Sequence, residues 1–190
     1  GTMSNSLYAG LRNMDITPPM NVEMAGGVFD GIPIKGYKTR LFVNTLVLDD
    51  GINEIALTSI DVALIPNKTA KDIIERISKC CGLKEENVII VATHTHKGAT
   101  LQSEDYDVYT ENTVMLIVTS VVMAQQKKQL CRVGIGKGRN DRFVFNRRLT
   151  KPDGSIVSNF VDPHFTKDCT GDGAVDADVF VIKIESIKRS

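Results

Sequence analysis

Apolar positions along the chain repeat with two different periods. Residues 7–16 (LYAGLRNMDI) read as a strand that stops at Thr17-Pro18-Pro19, where two prolines remove backbone donors and hold the chain extended. Residues 20–40 are rich in Gly and Pro and read as a loop, long enough to suggest a functional one. Residues 43–48 (VNTLVL) and 54–60 (EIALTSI) read as strands, and Asp49-Asp50-Gly51 between them is a hairpin signal. The period then changes. Ala70, Ile73, Ile74, Ile77 and Cys81 fall at three- and four-residue spacing, which predicts a helix over 67–81 closed by Gly82. Residues 88–92 (VIIVA) are apolar without interruption, the pattern of a strand covered on both faces.

Strand 54–60, the helix and strand 88–92 together predict a βαβ unit with parallel strands and a right-handed crossover. A longer helix is expected within 106–128, closed by Lys127-Lys128, a basic pair that suits a helix C-terminus. Three later strands are expected at 131–136, 142–146 and 178–184, with a turn at Pro152-Asp153-Gly154. The whole predicts an α/β fold, a mixed sheet flanked by helices.

Open α/β sheets bind ligands beyond the carboxyl ends of their parallel strands. Two polar groups fall there. Asp61 follows strand 54–60, and Thr93-His94-Thr95-His96 follows strand 88–92. The chain has three histidines, so two of them are concentrated in three residues. In extended backbone His94 and His96 share one side, because side chains alternate. Two imidazoles on one side can share a metal ion or divide the work between metal binding and proton transfer. Zinc in a catalytic site takes three protein ligands, so this pair alone is an incomplete set. A pair of polar side chains capping a strand end is the plainer alternative.

Composition narrows the function classes. Lys+Arg and Asp+Glu are both 23, so net charge gives no reason to expect nucleic acid or an anionic membrane surface. With 42% hydrophobic residues the 190-residue chain can bury a core, and no run of 18 apolar residues marks a transmembrane segment. Cys80, Cys81, Cys131 and Cys169 show neither CxxC nor zinc-finger spacing. They read as reduced thiols of a reducing, cytoplasm-like compartment. Gly1-Thr2-Met3 reads as an expression scar, so a leader present in the native protein would not be seen. Gly134-Ile-Gly-Lys-Gly138 lacks GxGxxG spacing and reads as a strand end. The acidic group Asp168, Asp172, Asp176 and Asp178 lacks the EF-hand pattern and reads as a solvated turn. His164, after Pro163, reads as a loop residue. Met14, Met20 and Met24 suit either a core or an apolar groove.

Residues 88–99 (VIIVATHTHKGA) resemble the HTHSGP signature of the neutral/alkaline, non-lysosomal ceramidase family. Other segments agree in order. AGLRNMDITPP (9–19) resembles the family's opening strand, LVLDDG (46–51) and ALTSID (56–61) its next two strands, Asn146-Arg147-Arg148 its N-R motif, and GAVDADV (173–179) its step into a later strand.

The resemblance implies a zinc-dependent amidase that cleaves the amide bond of ceramide or a related N-acyl lipid. His94 matches a zinc-ligand histidine. His96 matches the second histidine of the signature, beside the metal and its water. Arg147 matches the motif's arginine, expected to face the active site and to hold an oxygen with its donor fork. Asp61 matches a family aspartate, a candidate substrate-binding residue. Lys97 and Ala99 depart from the signature's Ser and Pro. Members are considerably longer than this chain, and their remaining ligands, a His, a Glu and a Tyr, lie later. These residues are therefore expected to form an N-terminal portion of a ceramidase-like catalytic domain. Three alternatives stay open. One is a non-catalytic fragment that binds a ligand or partner. Another is a same-fold hydrolase of a different amide or ester. The third is a homo-oligomer in which a second copy completes the site.

Overall fold

The computed structural model describes residues 6–25, 31–158, 168–171 and 173–187, and it divides into two compact units. His164 and Asp172 lie outside the described residues. The first unit comprises residues 1–132 and 185–190, the second 133–184.

The first unit is built on strands β1 (Leu7–Asp15), β3 (Phe42–Asp49), β4 (Glu54–Ile60) and β5 (Val88–Ala92). β1 lies antiparallel to β3, β3 antiparallel to β4, and β4 parallel to β5. The opening residues of β7 (Gln129–Arg139) pair with β1 on its other side. The sheet is therefore mixed, as its sequence predicts. The β3–β4 turn is held by its own aspartates. Asp49 accepts from the Gly51 N–H (2.8 Å), Asp50 accepts from Ile52 and Asn53, and Gly51 takes φ +84°.

Helix α1 (Asn67–Cys81) joins β4 to β5. It ends at Gly82, whose φ of +70° lets its N–H reach the Ser78 carbonyl. Helix α2 (Val108–Gln126) starts at Asp107, whose carboxylate accepts from the Thr110 N–H at 2.7 Å. Both helices pack on one face of the sheet. Ile73 and Ile77 of α1, Val114, Ile117 and Val121 of α2, and Val43, Val47, Ala56 and Ile60 of the sheet make one buried core. Inside it, Thr45 Oγ1 lies 3.0 Å from Thr58 Oγ1 and 2.7 Å from Ser120 Oγ, and Ser120 donates to the Ile117 carbonyl. This chain of hydroxyls satisfies each polar group without water. Gly10 of β1 sits directly against the α2 backbone: a Cβ there would lie 1.8 Å from the Ala124 carbonyl oxygen.

The expectation that β5 is covered on both faces is corrected. Val88 is buried, but Ile89 and Val91 are each 46% exposed. Ile89 continues an apolar row across four strands, Leu11↔Leu46↔Leu57↔Ile89, on the face opposite the helices. The continuous apolar run thus records a second face that no described residue covers.

Lys128 does more than complement a helix end. Its ammonium lies 2.5 Å from both Asp49 Oδ2 and Glu54 Oε1, clamping the residues after α2 to the β3–β4 hairpin. Lys128 holds the Asp49 carboxyl below its ordinary value of 3.8. Such a depressed group contributes stability that is complete above 3.8 and lost as pH falls through the folded value. Lys128→Met should therefore cost about 2 kcal/mol at neutral pH. Urea unfolding at a series of pH values should show the gap to wild type closing as pH drops below 3.8.

In the second unit, the outer part of β7 lies beside β10 (Asp178–Ser186), joined by Asn140 N–H to Ala177 O (2.8 Å) and by the Lys137–Asp178 ion pair (2.6 Å). A short hairpin pairs β8 (Arg148–Thr150) with β9 (Ile156–Ser158) around Pro152-Asp153-Gly154. The strand expected at 142–146 does not form. Its apolar FVF run has no neighbouring strand among the described residues, and Phe143 and Phe145 are 77% and 71% exposed. The side chain of the motif residue Asn146 is spent on backbone: its Oδ1 accepts from the Arg148 N–H (2.9 Å) and its Nδ2 donates to the Ala174 carbonyl (3.3 Å).

Candidate functional site

β4 and β5 end level with each other, at Ile60↔Ala92. Beyond them the two chains stay joined. The Thr93 N–H donates to the Ile60 carbonyl at 2.9 Å and the His94 N–H to the Val62 carbonyl at 3.1 Å. Asp61, next after β4, is tied to β3. Its N–H donates to the Phe42 carbonyl (3.0 Å), and its Oδ2 accepts from the Phe42 N–H (2.9 Å). Its carboxylate therefore holds the strand end that carries the site.

The backbone at His94 is not extended. Its φ is +62°, in the left-handed region that few residues other than glycine adopt. Simple alternation therefore does not bring the two histidines together. A left-handed residue swings the His94 ring, and the rings meet edge to face with centroids 4.8 Å apart. Strain of this kind persists where surrounding bonds over-determine it; here these are the two backbone bonds to the residues of and after β4 and a side-chain bond to the Ala63 carbonyl.

That side-chain bond sets the chemistry. His94 Nδ1 lies 2.6 Å from the Ala63 carbonyl, which can only accept, so Nδ1 carries the proton. Nε2 is left with its lone pair. A metal-ligating histidine is commonly oriented in this way, its other nitrogen donating to a carbonyl. His96 Nε2 lies 3.3 Å from His94 Nε2. Two ring nitrogens each about 2.0–2.1 Å from one tetrahedral zinc ion would themselves lie about 3.3–3.4 Å apart. The pair thus fits one edge of a zinc coordination shell. It also fits a hydrogen bond in which His96 donates to His94. Among the described residues, no group of three His, Cys, Asp or Glu side chains could hold a metal.

Of the residues the sequence singles out, the structure brings His94 and His96 together and sets Asp61 at the adjoining strand end. Arg147 belongs to the second unit and is exposed. Cys81 is no candidate nucleophile, since burial, reinforced by Cys80, pushes its thiol up to about 11.

The loop over 20–40 contributes more than its composition signals. Within it β2 (Met24–Ala25) pairs antiparallel with β6 (Gly98–Ala99), the residues just after the histidines. Ala99, one of the two departures from the signature, is buried in that ladder opposite Met24. Strands of two residues show no periodicity, which is why the pattern of the sequence does not reveal them. Gly98 packs between Leu41 and the Asp61 carbonyl, with a virtual Cβ 3.2 Å and 3.4 Å from them.

No family model matches the sequence. Solved structures do. The neutral ceramidase of Pseudomonas aeruginosa superposes with a TM-score of 0.68 at 20% identity, over 95% of this chain and 30% of that one. A ceramidase complexed with C2 gives 0.67 at 20% identity, over 95% and 29%. This chain thus spans about a third of the length of the structures it matches, and it has the fold of that part of the neutral ceramidase structures.

Proposed function

We propose that this chain carries part of the active centre of a zinc-dependent hydrolase of the neutral ceramidase type, acting on the amide bond of ceramide or a related N-acyl lipid. The observation that supports it most is the convergence of the His94 and His96 Nε2 atoms at 3.3 Å, beyond the carboxyl ends of two parallel strands. The fold likeness and the signature-like segment 93–99 point the same way.

In this reading the His94 Nε2 holds the ion, and His96 lies beside it. Bound zinc supplies Lewis-acid chemistry that makes water nucleophilic near neutral pH. The chain's own residues do the rest. The Ala63 carbonyl fixes the His94 tautomer. The His96 ring, an exposed imidazole, holds or moves a proton. Asp61 acts by positioning, through its bonds to Phe42. Arg147 enters through its motif, as a donor fork for an oxyanion or a substrate hydroxyl.

Hydrolysis of a short-chain N-acyl sphingosine, followed by release of the amine, tests the proposal. Turnover should vanish with a chelator and return with added zinc. Turnover indifferent to the chelator would contradict it. A second reading, a ligand- or partner-binding portion of such an enzyme, is favoured by the two-donor set among the described residues; its signature is zinc binding without turnover.

A further inference from the structure

The charges of the chain balance overall, but they are not spread evenly. Residues 139–148 (RNDRFVFNRR) hold four arginines and a single aspartate. That aspartate, Asp141, is paired with Arg139 at 3.9 Å. In the middle of this basic segment stand Phe143, Val144 and Phe145, which are 77%, 39% and 71% exposed. Three consecutive apolar residues exposed to this degree project from the surface and do not line a groove. Both ends of the projection are tied down within the second unit. The Asn140 N–H donates to the Ala177 carbonyl (2.8 Å), and the Asn146 side chain donates to the Ala174 carbonyl (3.3 Å). The Arg142 guanidinium lies 5.7 Å from the Phe143 ring centroid, so a cation stands beside the exposed ring. Contiguous exposed apolar side chains rimmed by polar ones mark interaction sites.

A projecting apolar tip flanked by cations fits a layer that is anionic at its surface and apolar below. We infer that the loop 140–147 docks on a lipid bilayer bearing anionic headgroups, with Phe143 and Phe145 entering the acyl boundary and Arg139, Arg142 and Arg148 at the headgroup level. Buried apolar area and attraction to anionic lipid both add to interfacial binding. Each arginine near such a surface gains from its negative potential. Arginine also suits that level, because its stem lies along apolar surface while its charged head stays in water. An acidic protein surface would meet the arginines but leave two phenyl rings against charge. The inference goes beyond the proposed hydrolase and stands without it, since it uses none of the candidate site residues.

Flotation of the full chain with vesicles tests it, using phosphatidylcholine alone and an equimolar mixture of phosphatidylcholine and phosphatidylserine. Binding to the anionic vesicles is expected, and it should weaken as salt screens the arginines. Phe143→Ser/Phe145→Ser should lower the partition roughly tenfold. Arg142→Gln/Arg148→Gln should reduce it to the level of the neutral vesicles. Ile52→Ser is the control. Ile52 is also 77% exposed but follows Asp49 and Asp50, and its variant should bind as the wild type does. The chain has no tryptophan, so Phe145→Trp supplies a single reporter, whose emission should move to shorter wavelength when anionic vesicles are added. No binding to anionic vesicles, equal binding by the double phenylalanine variant, or an unmoved tryptophan emission would overturn the inference. Self-association abolished by the double phenylalanine variant, without vesicle binding, would also overturn it and assign the loop to a protein interface.

Discussion

Gly10→Ala is expected to lower stability by about 3 kcal/mol, the upper part of the range for overpacking a close contact. The added Cβ would meet the Ala124 carbonyl oxygen at 1.8 Å and its carbon at 2.7 Å. Both are backbone atoms of a helix, so no rotamer change relieves the clash. Either α2 lifts from β1 or β1 shifts against β3, and both movements open the core around Val47 and Val121. In a chain of this size the loss corresponds to a fall in melting temperature of roughly 10 °C. Gly134→Ala is the control. Gly134 is also a strand glycine, but a Cβ there meets no described atom within 4 Å. Thermal unfolding of the two variants should separate them clearly. Equal melting temperatures would mean that β1 and α2 are not packed this closely.

The main elements are legible in the sequence because each buries one periodic face. The spacing of Ile73, Ile74 and Ile77 and the stop at Gly82 give α1 within a residue. The Asp49-Asp50-Gly51 turn gives the β3–β4 pairing, and the position of His94 and His96 after β5 gives the candidate site. What the sequence hides is mostly contact between distant residues. The apolar run at 142–146 has strand character but no described strand beside it. The Lys128 clamp depends on Asp49 and Glu54, which lie 79 and 74 residues away. β2 and β6 exist only through each other.

The histidine pair combines a legible part and a hidden one. Alternation predicts that the rings share a side, and they do meet, but through the positive φ of His94 and its bond to Ala63. Neither feature is visible in a pattern of residue types. The uninterrupted run at 88–92 is informative in another way. It signals two covered faces where the described residues provide one, with Ile89 and Val91 each 46% exposed.

The second large effect is expected at His94. His94→Asn should weaken zinc binding roughly hundredfold, about 2.8 kcal/mol. Asparagine is the informative replacement because it tolerates the left-handed backbone that His94 adopts. The imidazole is then removed with little change to the turn. His96→Asn should weaken binding less, since the His96 Nε2 lies 3.3 Å from the His94 Nε2. An unchanged melting temperature in both variants would show that the fold is intact.

Equilibrium zinc titration of the wild-type protein, His94→Asn and His96→Asn against a chromophoric chelator bears on all of this at once. A single zinc site per chain is expected in the wild type, weakened roughly hundredfold by His94→Asn and measurably by His96→Asn. Zinc affinity unchanged by His94→Asn would show that the two histidines form a hydrogen-bonded pair at a strand end and not part of a metal centre; no zinc site in the wild-type chain would show that these two donors do not close a metal site by themselves.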